Sequence, residues 1–328
     1  MAGTGKRALI VGPGFIGLNI LDLLVHENFQ VTGIVRRSEH AEQVEHLGAT
    51  SVIGDLDDVP LITQQAIEHD IIFHTATADH ISSVEAICQG VAERANQGKS
   101  TIYIHTSGAS LLDDQSHGNY ETSKIYYDNK PEDIAALPPT APHRKIDLTV
   151  VNWGKRLGEK AKIAIIIPPI IYGYNSNHKR LTIQIPTLTR FALKHGYAGF
   201  VGKGLSVESS IHVLDLARAF MVLLHYMESS DSRIFIENPY FFCDSGQDHS
   251  WRSFGEMIGK GLHKAGKIAD PTPKSIPKDM FGWLFGDHTY PVAGLNSRSR
   301  GVRLRELGWE PSELIPRALL HDQVTSGP

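Results

Sequence analysis

Arg7-Ala8-Leu9-Ile10-Val11-Gly12-Pro13-Gly14-Phe15-Ile16-Gly17 is the stretch on which the reading of this chain turns. An apolar, β-branched run ends at Val11, and glycines at 12, 14 and 17 then complete a G-x-G-x-x-G pattern. Ile16, Ile20, Leu21, Leu23 and Leu24 follow mostly along one helical stripe. Strand, glycine turn and helix together form the setting in which such a loop holds a dinucleotide. Gly12 permits the tight turn, Gly14 lets backbone approach a pyrophosphate, and Gly17 allows close contact between helix and strand. The helix entrance at Phe15 and Ile16 presents free amide hydrogens and partial positive charge to phosphates.

Outward from this loop, short apolar runs recur at Gln30 to Val35, Ser51 to Ile53, Ile71 to His74, Thr101 to His105 and Ile163 to Ile167. Runs that are apolar almost throughout suit strands buried on both faces, and helical segments such as Ser82 to Asn96 lie between them. The expectation is an α/β protein with a Rossmann-type, doubly wound parallel sheet. Past Pro169 the regularity decays, although Gln184 to His195, Val213 to Tyr226 and Ser250 to Ala265 still read as helices. The boundary is placed near residue 175. Residues 1–175 form the dinucleotide-binding domain and 176–328 mainly a smaller substrate lobe, with 205–238 packing back on the first domain. The late aromatics Phe241, Phe242, Trp251, Phe281, Trp283, Phe285 and Tyr290 read as lobe core more readily than as substrate contacts.

The 328 residues carry 32 basic and 36 acidic side chains, a formal charge of -4, and 41% hydrophobic residues. The charged fraction of 21% is the globular norm, which excludes wholesale disorder. No basic surplus exists to attract nucleic acid or anionic lipid, so neither is expected as a partner. Two cysteines, Cys88 and Cys243, cannot build a disulfide framework or a thiolate metal site, and no metal is expected. The first apolar run is too short for a signal peptide, and Ile163 to Ile171 falls far short of a bilayer span. A cytoplasmic protein with a small-molecule substrate is expected, and a homodimer is compatible with this reading. His-Glu-x-x-His, G-x-S-x-G and G-x-x-x-x-G-K-S/T are all absent, which argues against zinc proteases, α/β-hydrolases and P-loop enzymes.

The second strand ends in Arg36-Arg37, where an NAD-selective site usually carries a carboxylate. Guanidiniums pair with phosphate by forked hydrogen bonds, so NADP(H) is expected as cofactor in preference to NAD(H). Asp55 and Leu56 after the third strand fall near the adenine. Thr75, Ala76 and Thr77 after the fourth offer small side chains where the cofactor crosses the strand ends.

With these residues in view, the chain resembles the extended short-chain dehydrogenase/reductase superfamily, the NAD-dependent epimerase/dehydratase family, and is most similar to an atypical fungal subgroup. The resemblance spans about residues 6 to 311. It rests on the glycine loop, Gly54-Asp55-Leu56, Thr106-Ser107-Gly108, Pro168-Pro169-Ile170-Ile171-Tyr172-Gly173, Ile211-His212-Val213-Leu214-Asp215-Leu216-Ala217 and Leu307-Gly308-Trp309-Glu310-Pro311. It implies that Pro168 and Ile171 lie beside the nicotinamide. It also implies a catalytic Ser, Tyr and Lys, the last two as Y-x-x-x-K one helical turn apart.

Ser107 matches the serine. Tyr120-Glu121-Thr122-Ser123-Lys124 has the letters of the pair, 13 residues on, but Pro131 argues against the long helix that should follow. Counting back from Pro168 gives another register, with the helix at Pro142 to Gly158, Lys145 in the lysine position and Ala141 in place of tyrosine. The tyrosine is then absent, or it comes from the inserted loop as Tyr120 or Tyr126. His143 is an alternative proton donor, because imidazole titrates near neutrality. Three functions stay open. One is an NADP(H)-dependent oxidoreductase acting on a carbonyl or alcohol of a small, apolar molecule. Another is an epimerase, dehydratase or isomerase with retained cofactor, for which Arg180, Arg190, Arg298, Arg300, Arg303 and Arg305 are available to a diphosphate. The third is a non-catalytic NADP(H)-sensing regulator.

Overall fold

The computed structural model describes residues 5–313; residues 1–4 and 314–328, included above in the two domains, lie outside the described residues. β1 (Arg7–Val11), β2 (Gln30–Val35), β3 (Thr50–Ile53), β4 (Ile71–His74) and β5 (Thr101–Thr106) join the strands Ala161–Ile167 and Tyr240–Phe242 in one seven-stranded sheet. From one edge the order is Tyr240–Phe242, Ala161–Ile167, β5, β4, β1, β2, β3, and every neighbouring pair is parallel. The doubly wound sheet expected from the sequence is therefore present.

Side chains alternate between faces along a strand, and β1 shows why its run is apolar throughout. Ala8 and Ile10 enter one core with α1 (Gly17–His26) and the helix Val213–Ser229. Leu9 and Val11 enter the other core, with α3 (Val59–Glu68), α4 (Ile81–Asn96) and the helix Arg144–Leu157. Trp309 closes the first core, its indole N–H donating to the Asp215 carbonyl at 3.1 Å.

A third core belongs to the smaller lobe. It gathers Tyr172, Phe191, Phe200, Trp251, Phe254 and Phe281 around the helices Gln184–His195 and Trp251–Lys264. The second of these helices starts at Ser250, whose Oγ accepts from the Ser253 amide at 3.1 Å, so Ser253 lies inside it. A three-stranded sheet of Ile170–Tyr172, Val207–His212 and Asp248–Ser250 bridges the two parts. Strand order reverses between β1 and β4, and an open α/β sheet binds its ligand in the crevice at such a point. Among the described residues, no helix is long and apolar enough to cross a membrane.

Candidate functional site

The crevice holds a cavity of about 650 Å³ that starts at the glycine loop. Gly12 sits at φ +84°, and a Cβ there would lie 2.4 Å from the Ala76 Cβ, so only glycine fits between β1 and β4. At Gly17 a Cβ would come within 2.6 Å of Thr75 Oγ1, the hydroxyl that donates to the Gly12 carbonyl at 2.8 Å. Gly14 is different. Its nearest atom is 3.9 Å from a hypothetical Cβ, so the space in front of it stays open to a ligand.

Gly12, Gly14, Phe15, Ile16, Arg36, Arg37, Asp55, Leu56, Thr75 and Ala76 all line this cavity. Asp55 is partly committed, because its Oδ1 accepts from the Asp57 and Asp58 amides at 2.9 and 3.1 Å. Thr77 does not line it and instead accepts from the Asp79 amide at 3.2 Å, fixing the turn after β4.

Two further residues complete the cationic end of the cavity. His40 lies against Arg37, Nε2 to a guanidinium nitrogen at 3.1 Å, and its pKa is lowered first by burial and then by Arg180 and Arg37. Arg180 arrives on the segment 173–183, which leaves the lobe and docks across α1 and α2 (Ser38–His46). There His178 Nε2 meets Asp22 at 2.7 Å, Asn175 donates to Asn19 at 2.7 Å, and Arg180 donates to Gln43 at 3.1 Å. Arg180, available to a diphosphate by sequence, lines the glycine-loop cavity instead.

A second cavity, of about 380 Å³, shares Ile16, Thr182 and Ile183 with the first. Pro168 and Ile171 line it, together with Ser107, Ser110, Asp79, His143, Glu208, Pro291, Val292 and Leu295. Ser107 Oγ donates to Asp147 Oδ2 at 2.9 Å, and burial pushes the Asp147 carboxyl up to about 7. His143 stands at φ +62°, immediately before the helix Arg144–Leu157, and this bend turns its ring into the pocket. Its Nδ1 lies 2.6 Å from Asp79 Oδ1 and its Nε2 2.6 Å from Ser110 Oγ. The Asp79 carboxyl is held below its usual range by that hydrogen bond. A carboxylate that fixes one ring nitrogen and leaves the other to a hydroxyl is the arrangement by which proteins set up an imidazole for proton transfer.

Among the described residues, no tyrosine lines this pocket. Tyr120 is 47% exposed and its hydroxyl donates to the Asp114 carbonyl at 3.0 Å. Lys124 pairs with Asp133 at 3.0 Å. The segment between them is irregular because its backbone is tied to the lobe. The Gly118 amide donates to Gly294 at 2.6 Å and the Tyr126 amide to Arg298 at 2.9 Å. Without a helix, a four-residue spacing does not align two side chains, and the expected Tyr120–Lys124 pair is not assembled. Tyr126 pairs with Ser299 in a short strand, with the Lys124 ammonium 4.9 Å from its ring centre, away from the pocket. Lys145 is exposed on the first turn of its helix and lines neither cavity.

The pocket's apolar wall consists of Ile, Pro, Val, Leu and Ala109. The late aromatics do not contribute to it: Phe241 and Phe242 sit in the main sheet, Trp251 and Phe281 in the lobe core. The arginines available to a diphosphate are also occupied elsewhere. Arg298 and Arg300 meet Asp248 at 2.9 and 2.8 Å, Arg305 meets Asp244 at 3.0 Å, and Arg303 stacks on Phe241.

The sheet, the glycine loop and the paired cavities make a Rossmann-type NAD(P)-binding architecture, and the fold is the one seen in solved epimerase structures. Residues 12–155 match the protein family described as NAD(P)H-binding. Among curated relatives, the oxidase ucsJ of an Acremonium species is 27% identical, covering 94% of this chain and 91% of its own. An uncharacterised Saccharomyces cerevisiae protein is 24% identical over 94% of this chain and 95% of its own. Among solved structures, a putative epimerase from Burkholderia cenocepacia superposes with TM-score 0.69 at 15% identity, covering 99% of both chains. A Thermotoga maritima UDP-glucose 4-epimerase with UDP-glucose gives 0.68 at 16%, covering 97% of both. These structures share the fold with this chain.

Proposed function

We propose that the protein is an NADP(H)-dependent oxidoreductase acting on a small organic molecule, with His143 in the role that a tyrosine fills in related enzymes. The observation that carries this reading is the junction of the two cavities at Ile16, Thr182 and Ile183, beside Ser107 and the Asp79–His143–Ser110 chain. Residues of the glycine loop would hold the phosphates of a dinucleotide, and the nicotinamide would then supply hydride chemistry near that junction. Arg36, Arg37 and Arg180 at the far end suit the additional phosphate of NADP.

The bound cofactor supplies or accepts the hydride. The chain's own residues handle the proton. Asp79 accepts from His143 Nδ1, which leaves Nε2 to exchange a proton with Ser110 Oγ, and the Ser110 hydroxyl passes its own proton to the substrate heteroatom. Ser107 orients that heteroatom. When Asp147 is protonated it donates to Ser107 Oγ and frees the serine hydroxyl to point into the pocket. The retained-cofactor reading on a nucleotide sugar is disfavoured because, among the described residues, no Lys or Arg lines this second pocket.

Titration of the purified protein with NADPH and NADH, followed by nucleotide fluorescence, tests the cofactor assignment. Tighter binding of NADPH is expected, with the preference reduced in Arg37→Ala. Equal affinity for both nucleotides in the unaltered protein would remove the assignment.

A further inference from the structure

Gly108 follows Ser107 at the exit of β5 and lines the substrate pocket. Its backbone is extended, at φ -158° and ψ 146°, a conformation open to any residue, so no turn calls for glycine here. The reason lies across the pocket. A Cβ at position 108 would stand 3.1 Å from His143 Nε2 and 3.3 Å from its Cδ2. Both distances fall inside the roughly 3.5–4.0 Å at which non-bonded atoms pack best. Such crowding costs little where the neighbour is the loose end of a flexible side chain, but this imidazole is fixed. Asp79 holds its Nδ1 and Ser110 its Nε2, each at 2.6 Å, and the left-handed backbone at 143 sets the direction of its Cβ. The other side of the contact is fixed as well. The Ser107 amide donates to the Ile166 carbonyl and the Ala109 amide to the Pro168 carbonyl, both at 2.9 Å, so the chain on either side of Gly108 is tied to the adjacent strand and the turn that follows it.

We infer that Gly108 is a positioning residue: its missing side chain is the seat of the His143 imidazole, and any Cβ there breaks the Asp79–His143–Ser110 chain. The seat itself is a matter of geometry, while its consequence for turnover rests on the proton-transfer role proposed for His143. A ring pushed by a methyl group at 108 can retreat only by lengthening its contact with Asp79 or with Ser110. Ser110 Oγ is not itself crowded, since it lies 4.0 Å from the same point. The atom met first is Nε2, the nitrogen that exchanges a proton with Ser110, so the displacement falls on the step that feeds the substrate. Two adjacent residues at one strand end thus serve the pocket in opposite ways. Ser107 presents a hydroxyl, and Gly108 leaves room.

The test is a substitution cycle on the intact protein, with Gly108→Ala, His143→Ala and the double variant, and its main readouts need no substrate. Gly108→Ala is expected to lower the melting temperature of the unaltered protein. In the His143→Ala background the same substitution should raise it, because the obstructing ring is gone and alanine restricts the unfolded chain more than glycine does. Failure of Gly108→Ala to fold, with the double variant folded, would be the same result in stronger form. Proton–nitrogen NMR of the histidine rings, with His143 assigned by its absence from His143→Ala, reads the seat directly. Gly108→Ala should shift the His143 ring nitrogens, a change that a purely structural glycine would not produce. With cyclohexanone, a small neutral ketone, as probe, kcat should fall at least about tenfold at unchanged NADPH affinity. A melting-temperature change of the same sign in both backgrounds, or His143 signals unmoved by Gly108→Ala, overturns the inference. Shifted ring signals with unchanged reduction of cyclohexanone would instead remove the proton-transfer role of His143 and leave Gly108 as its seat.

Discussion

His143 has the left-handed backbone angle that carries its ring into the pocket, and its two 2.6 Å contacts are the geometry on which the proposed proton transfer rests. His143→Gln is expected to lower kcat by about 10²–10⁴-fold with little change in NADPH affinity, the range a general acid or base contributes. Tyr120→Phe should leave steady-state turnover unchanged, and a loss there comparable to that of His143→Gln would refute the assignment. Glu208 makes a separate demand at this scale. Its folded-state pKa is raised from 4.5 to about 8, so between those values the native protein keeps a proton that the unfolded chain releases. Stability from this group is therefore full at low pH, falls as pH rises through that window, and levels off above it. Glu208→Gln should flatten the dependence and raise stability at pH 8.5 by on the order of 3 kcal/mol. Melting temperatures recorded across that range would check it. Of the catalytic candidates, Ser107 was legible as a residue ending a strand after Thr106. His143 could be read from the sequence only as an alternative proton donor among 17 histidines, because what distinguishes it is a backbone angle and a partner 64 residues away. Ser110, Asp79 and Glu208 had no local signal at all.

Elements supply what single residues do not. The strands were readable because two-sided burial demands uninterrupted apolar runs, and β1, β2 and β4 begin and end where those runs do. The loop 113–125 misled for the converse reason. Its letters fit the Y-x-x-x-K pair, but its course is set by backbone pairing with residues almost 180 positions later, which no local pattern encodes. The segment 173–183 has a comparable long-range anchorage, and it carries Arg180 to the groove. Arg180→Ala is expected to weaken NADPH binding about tenfold while sparing NADH, and His178→Ala to weaken NADPH binding in the same direction by releasing the anchor on Asp22. Parallel fluorescence titrations decide this; an equal loss for both nucleotides would mean that Arg180 does not read the extra phosphate. Gly17→Ala places a methyl against Thr75 and the Gly12 carbonyl, so it should depress affinity for both nucleotides together.

At the scale of the whole molecule, the two cavities meet between the sheet and the lobe, and residues on both sides line each of them. A dinucleotide bound there touches elements from residue 11 to residue 183, so it should stabilise the chain as one unit. At a hundredfold excess over Kd the gain is about 2.7 kcal/mol, read in calorimetry as a single shifted transition. Separate transitions, of which only one moved, would show that lobe and sheet melt independently.

The main sheet is completed by Tyr240–Phe242, a strand made long after the six it joins. During synthesis the hydrogen-bonding rim of Ala161–Ile167 therefore stays bare until some 75 further residues have been added, an estimate by chain position for an aggregation-prone rim. The nascent protein is accordingly most in need of a chaperone during that interval, and nonsense mutations falling within it should yield insoluble fragments, although the entire glycine loop has already been made.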